Sequence, residues 1–369
     1  MTAKETDGGR YMKRRTRGRA ARKVSRRKFL AGTAGTSLLA ALWSRQVRGA
    51  EMDISKREIR GSKYKKKLLA CLGGEWPDNG PLKSIVENVT QKDGYRLERV
   101  TYLVEPGERI AAYLLVPDGI SKDRKAPGIC VWHQHNGTYP IGKDEAAGLK
   151  NGPMHHTGVV LAKEGYVVLC PDAAGFGERN KRGSLNGRNL EHYLFAMNIV
   201  AGKCLAWKNI SDMRRAVDYI CSRPEVDKDR IGCYGHSMGS THTWLVGPWE
   251  TRIKALVGNC CMPTYAAMER TDLIHCFPNY IPGWRQLGDI PDIVGMIAPR
   301  ALHLNFGETD AGSPIEEVKT GVEIIRRAYA AKKAEDKFSY YIETGSGHVI
   351  SDEMSRRMKA HFARYLVKA

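Results

Sequence analysis

The chain has 369 residues and a formal net charge of +19, a balance that looks like a nucleic-acid binder until the charge is located. Residues 1–50 hold 14 Lys and Arg against 2 Asp and Glu, so most of the excess sits in a leader and +7 remains for the rest. That distribution argues against a nucleic-acid-binding domain, and the length suits one large α/β domain with an N-terminal extension.

Within the leader, Ser25-Arg26-Arg27-Lys28-Phe29-Leu30 precedes a modestly apolar stretch, Ala31 to Trp43. This pattern resembles a twin-arginine export signal and implies recognition by the twin-arginine export machinery, with a periplasmic or extracellular destination. The stretch falls short of the roughly 20 apolar residues that a membrane span requires, so no stable membrane anchor is expected. Nine cysteines are an odd number, and their spacing forms no disulfide framework and no paired C-x-x-C metal site. Cys130, Cys170 and Cys233 lie in apolar runs and read as small core residues, while Cys260, Cys261 and Cys276 leave a disulfide open.

Residues 51–94 read as an N-terminal arm, basic and then rich in Gly and Pro, with a helix over Lys63 to Cys71. The catalytic domain is expected over 95–369. Tyr95 to Val104 and Arg109 to Val116 flank Glu105-Pro106-Gly107-Glu108 and predict a β-hairpin. Further strands are expected at Gly128 to His133, Tyr166 to Cys170, Arg230 to Tyr234, Ile253 to Asn259, Ala301 to Phe306 and Phe338 to Ile342. The first five are nearly continuous apolar runs, as in a sheet covered on both faces. Helices alternate with them, including Ser211 to Ser222 and Pro314 to Ala331. The fold class is α/β, a mostly parallel, doubly wound sheet with an antiparallel N-terminal hairpin. Residues 173–205 and 261–300 are longer than simple connections. Both follow strands at their C-terminal ends, where open α/β sheets place their ligands, and both are expected to form cap-like insertions. Trp207, Tyr265, Met268, Phe277, Tyr280 and Trp284 would pack within that cap or line a pocket under it.

Gly235-His236-Ser237-Met238-Gly239 directly follows the strand ending at Tyr234. This G-x-S-x-G sequence, between a strand and a helix, is the pattern that sets a serine on a sharp turn as a nucleophile. The glycines are required where strand and helix close around the turn. A serine in this role needs a histidine to take its proton and a carboxylate to hold that histidine's tautomer. Asp310 follows the strand ending at Phe306, with Glu308 as the alternative carboxylate. His348 stands on the loop Thr344-Gly345-Ser346-Gly347 before the terminal helix. His303 and His361 lie inside elements, and His242 lies in the helix after the serine. His133, His135, His155 and His156 invite a metal reading, but no carboxylate pattern pairs with them, so neither metal nor cofactor is expected. Trp132-His133-Gln134-His135-Asn136-Gly137 ends a strand that in such folds leads into the oxyanion loop. The backbone N–H of Gln134 or His135 would pair there with that of Met238.

Together these residues resemble the α/β-hydrolase superfamily, in the bacterial branch near dienelactone hydrolase-like proteins and acetyl xylan esterase-like enzymes. The resemblance runs from about Tyr95 to the end. It is carried by the Ser237 turn, Asp310, His348, the 133–137 turn, Lys143-Asp144-Glu145-Ala146-Ala147-Gly148, and Gly165 to Asp172 leading into Gly175-Phe176-Gly177-Glu178-Arg179. It implies the α/β-hydrolase fold and an exported serine carboxylic-ester hydrolase acting on a small-molecule or carbohydrate ester, with removal of small acyl groups from carbohydrates as the expected reaction. Asp172 resembles the family's structural aspartate. Dienelactone hydrolase proper is expected to carry cysteine where this chain has Ser237, and glucuronoyl esterases arginine where it has Met238. A serine peptidase of the same fold and a non-catalytic binding protein on this scaffold are the alternatives. The first usually brings a large N-terminal domain, and the second would be expected to lose a triad member.

Overall fold

The structure, a computed structural model, describes residues 61–78 and 80–367; the leader expected over 1–50 lies outside the described residues. The described chain opens with helix α1 (Gly61–Leu72) and strands β1 (Ile85–Lys92), β2 (Tyr95–Glu105), β3 (Glu108–Pro117) and β4 (Ala126–Trp132). Helices α2 (Lys143–Ala146) and α3 (Thr157–Lys163) lead to β5 (Val167–Pro171), and α4 (Gly187–Val200) and α5 (Leu205–Ser222) to β6 (Val226–His236). Next come α6 (Met238–Val246), β7 (Ile253–Asn259), α7 (Tyr265–Thr271), α8 (Ile290–Gly295), β8 (Ala301–Gly307), α9 (Ile315–Ala330), β9 (Phe338–Glu343) and α10 (Asp352–Leu366).

The nine strands form one sheet in the order β1-β2-β3-β5-β4-β6-β7-β8-β9. β1, β2, β3 and β5 pair antiparallel along one side, and the strands from β5 through β9 are parallel. β4, β5, β7 and β8 alternate their side chains between two covered faces. Cys130 and Trp132 point into one core with α1, α5, α6, α8 and α9, whereas Ile129 and Val131 point into another with α3 and α10. Both faces are covered, which is why these strands read as nearly continuous apolar runs. All nine cysteines are free thiols, and those in β4, β5 and β6 are fully buried. Among the described residues no helix is long and apolar enough to cross a membrane.

The segment expected as an arm is built into this body. Leu68 and Leu72 of α1 are buried in the first core, worth about 1.5–3 kcal/mol each for full burial of the side chain. Beyond α1, Trp76 Nε1 donates to the Trp207 carbonyl and Trp207 Nε1 to that of Gly74, both at 2.9 Å. β1 extends the sheet beyond the expected start at 95 as an edge strand exposed along its whole length. Its sequence, Ile-Val-Glu-Asn-Val-Thr-Gln-Lys, never contributes an apolar face to a core, so periodicity does not reveal it.

Candidate functional site

The parallel strands end on one side of the sheet, and the loops that leave β4, β6, β7, β8 and β9 meet there. At the end of β6 the chain turns sharply through Ser237, whose φ of 57° and ψ of −120° lie in a region that side chains rarely adopt. The glycines make this turn possible by their lack of bulk. A methyl group at Gly239 would lie 2.1 Å from the Trp132 carbonyl oxygen, and one at Gly235 would lie 2.0 Å from the Gly239 backbone. Met238 is the first residue of α6, so its N–H belongs to the first turn, where helical geometry supplies no partner.

β8 delivers Asp310 and the loop after β9 delivers His348. His348 Nδ1 lies 2.8 Å from Asp310 Oδ2, while Asp310 Oδ1 accepts the Gly312 N–H at 2.8 Å. The carboxylate is buried and the imidazole is 39% exposed, so one end of the pair is fixed and the other reaches solvent. Glu308, the alternative carboxylate, instead accepts the Gly345 N–H on the surface. Asn259, at the end of β7, ties the serine turn to the histidine loop. Its carbonyl accepts the Ser237 N–H at 2.9 Å, and its Nδ2 donates to the Val349 carbonyl at 3.0 Å and to His236 Nδ1 at 3.1 Å.

The turn after β4 separates the two expected backbone donors. Gln134 N–H donates to Glu145 Oε1 at 2.8 Å and is therefore spent on a buried carboxylate. Gln134 Nε2 donates to Glu145 Oε2 at 3.1 Å, which reinforces the hold. The expected role of Gln134 as a donor is corrected on this ground, and His135 is left as the candidate. Both ring nitrogens of His133 are engaged within the fold: its Nδ1 donates to the Gln134 carbonyl at 2.7 Å and its Nε2 accepts the Ala173 N–H at 3.1 Å.

The two insertions meet over this side of the sheet through Phe195 of α4 and Phe277, whose rings stack with centroids 4.6 Å apart. Trp207, Tyr265 and Trp284 are buried packing residues; the Tyr265 hydroxyl donates to the Asn279 carbonyl and Trp284 Nε1 to that of Asp289. His275, in the second insertion, has its pKa lowered to about 4 by burial and accepts the Asn279 Nδ2 hydrogen at Nδ1. Sequence reasoning missed Glu145, Glu191 and Asn259. Glu145 stands in a motif it had noted, but nothing in the spacing shows that this carboxylate folds back onto the Gln134 amide. Asp172, expected to be structural, accepts hydrogen bonds from Lys143 N and Nζ, both at 2.8 Å, inside the protein.

Known proteins resemble this chain in sequence or in structure. YtaP of Bacillus subtilis (strain 168) is 28% identical over 291 residues, covering 77% of this chain and 93% of YtaP. A glucuronoyl esterase from Solibacter usitatus superposes with a TM-score of 0.60 at 15% identity, over 84% of this chain and 93% of that one. Acetyl xylan esterase 1 from Thermoanaerobacterium sp. JW/SL YS485 superposes with a TM-score of 0.56 at 16% identity, over 83% and 94% of the two chains. At such identities the superpositions establish a common fold, that of the α/β-hydrolases. Residues 55–357 match the model of the Abhydrolase family, and the chain belongs to that family.

Proposed function

We propose that the chain is a serine hydrolase that cleaves carboxylic esters through an acyl-enzyme. The observation that carries this reading is the 2.8 Å contact between His348 Nδ1 and the buried Asp310 carboxylate, on loops gathered with the strained Ser237 turn. With Nδ1–H donating to Asp310, His348 Nε2 is left as the base. Ser237 Oγ attacks the ester carbonyl carbon and its proton passes to Nε2. The resulting oxyanion is held by the N–H groups of Met238 and His135. Collapse breaks the bond to the alkoxy oxygen, which takes the proton from His348 and leaves as the alcohol. Water then repeats the sequence on the acyl group and frees Ser237.

The substrate class we infer is a small acyl ester of a carbohydrate, supported by the names of the structural relatives, acetyl xylan esterase and glucuronoyl esterase. Export fits that substrate class, and the Arg26-Arg27 pattern supports it. The test is labelling of the purified full chain with a fluorophosphonate, beside hydrolysis of 4-nitrophenyl acetate and of acetylated xylo-oligosaccharides. Labelling and turnover in the wild type, both lost in Ser237→Ala, are expected. A folded wild type that neither labels nor turns over sinks the reading.

A further inference from the structure

The turn after β4 is gripped by a second buried carboxylate, and this one comes from the first insertion. Glu191 of α4 is 3% exposed, with its two oxygens 3.1 and 3.0 Å from His135 Nε2. Oε2 also accepts the Tyr139 hydroxyl at 2.7 Å. The tautomer of His135 follows from its other nitrogen. Gly137 N–H donates to His135 Nδ1 at 3.0 Å, so Nδ1 is an acceptor and Nε2 carries the hydrogen that Glu191 receives. Glu191 thus accepts from both donors, the His135 ring and the Tyr139 hydroxyl. Burial and the Glu191 carboxylate hold the Tyr139 phenol above its usual pKa, which keeps it a donor. The His135 ring meets Tyr139 edge-on at 5.1 Å and Phe176 at 5.0 Å, and Tyr139 stacks on Phe176 at 5.0 Å.

The backbone beside this contact is strained. Asn136 and Gly137 have φ of 48° and 63°, consecutive left-handed residues, and the first of them costs about 1 kcal/mol. Such a turn needs outside contacts to hold it, and the His135 side chain supplies one on the same residue whose N–H is the oxyanion donor proposed above.

We propose that Glu191 is a positioning residue: through His135 and Tyr139 it docks α4 onto the turn and sets the His135 N–H for the developing oxyanion. The proposal rests on the serine-esterase reading above, and it makes the first insertion part of the machinery that lowers the barrier. An oxyanion donor removed outright costs about 10²–10³ in kcat, and a misplacement of about 1 Å can cost about 10².

The experiment compares the full-length wild type with Glu191→Ala, Glu191→Gln and Tyr139→Phe on 4-nitrophenyl acetate, with kcat expressed per serine titrated by fluorophosphonate. Glu191→Ala is expected to lower kcat about 30- to 100-fold with KM within about threefold, the signature of an interaction made in the transition state. Tyr139→Phe keeps the ring on Phe176 and is expected to lose about three- to tenfold, with Glu191→Gln between the two. A merely structural Glu191 would lower the melting temperature and the titrated fraction while leaving kcat per titrated serine unchanged, and that result in a folded Glu191→Ala overturns the proposal. If Glu191→Ala does not fold, unchanged kcat per titrated serine in both other variants overturns it equally. An active wild type with indifferent variants removes the proposal alone, whereas an inactive wild type removes the esterase reading beneath it as well.

Discussion

The ring of His236 lies 4.9 Å from that of His348, tilted by 43°, and is buried. Burial holds its pKa well below the usual histidine value, with the charges of His348 and His155 acting in the same direction. Asn259 Nδ2 donates to its Nδ1, which suits the neutral ring. In the proposed reaction the imidazolium that forms at His348 therefore meets a neutral neighbour and not a second cation.

That exclusion of protons has a measurable cost in acid. Burial also lowers His242 and His361 to about 3 and His275 and His303 to about 4. In the unfolded chain each titrates near 6.5, so below that pH the unfolded state binds protons that the folded state refuses. Stability is complete above pH 6.5 and is lost as the pH falls towards the depressed values, at about 1.4 kcal/mol per pH unit for each excluded proton. The melting temperature is expected to drop steeply between pH 6.5 and 5. His361→Phe should flatten that slope, and a slope that does not change would show that His361 takes up its proton in the folded chain.

Asp310 and Glu308 are two residues apart on one loop and face opposite environments. Asp310→Asn is expected to lower kcat about 10⁴-fold while the chain stays folded, because the amide no longer fixes the tautomer of His348. Glu308→Gln should remain within about threefold, since the Glu308 carboxylate accepts the Gly345 N–H on the exposed surface. Steady-state kinetics on an aryl acetate decide between them, and the opposite ranking would move the carboxylate role to Glu308.

The close approach of α6 to β4 leaves no room for a side chain at Gly239. Gly239→Ala must displace the Trp132 carbonyl or the helix itself, and its expected cost of several kcal/mol exceeds the usual range of about 0.5–3 kcal/mol for a single substitution. Gly152→Ala is the control, because a methyl group there meets nothing within 4 Å and the backbone is extended. Urea titration should separate the two, with Gly152→Ala within about 0.5 kcal/mol of the wild type.

What could be read from the sequence follows the physics of each signal. β4, β5, β7 and β8 announced themselves because burial on both faces forces apolar residues at most positions, and the Ser237 turn because its glycines are sterically compelled. The expectations for Asp310 and His348 needed only chain order and the ends of strands. β1 was hidden because an edge strand exposed on both faces carries no period. Glu145 and Glu191 were hidden for another reason. Each acts on a residue 11 or 56 positions away, a pairing that only the closed fold creates, and a glutamate bound for burial looks in sequence like one bound for solvent.

Asp172 and Lys143 give the clearest separation of stability from chemistry. The Lys143 side chain is 1% exposed, with its Nζ 2.8 Å from Asp172 and 2.7 Å from Glu178, and Asp172 also accepts the N–H groups of Lys143 and Glu178. Charges taken out of water are tolerated only when paired, so removal of Lys143 leaves the Asp172 carboxylate without its cation, and removal of Asp172 leaves the buried ammonium only the half-exposed Glu178. Asp172→Asn and Lys143→Met are each expected to lower unfolding free energy by about 3–5 kcal/mol. The double variant should lose much less than the sum, because the second change removes the charge that the first left unpaired. None of these side chains reaches Ser237 or His348 in the proposed chemistry, so kcat per titrated serine should stay within about threefold in every variant that folds. Urea unfolding with active-site titration measures both quantities on the same samples. Additive losses would show that the pair is not coupled, and a large fall in kcat at unchanged stability would give Asp172 a part in the reaction instead of the scaffold.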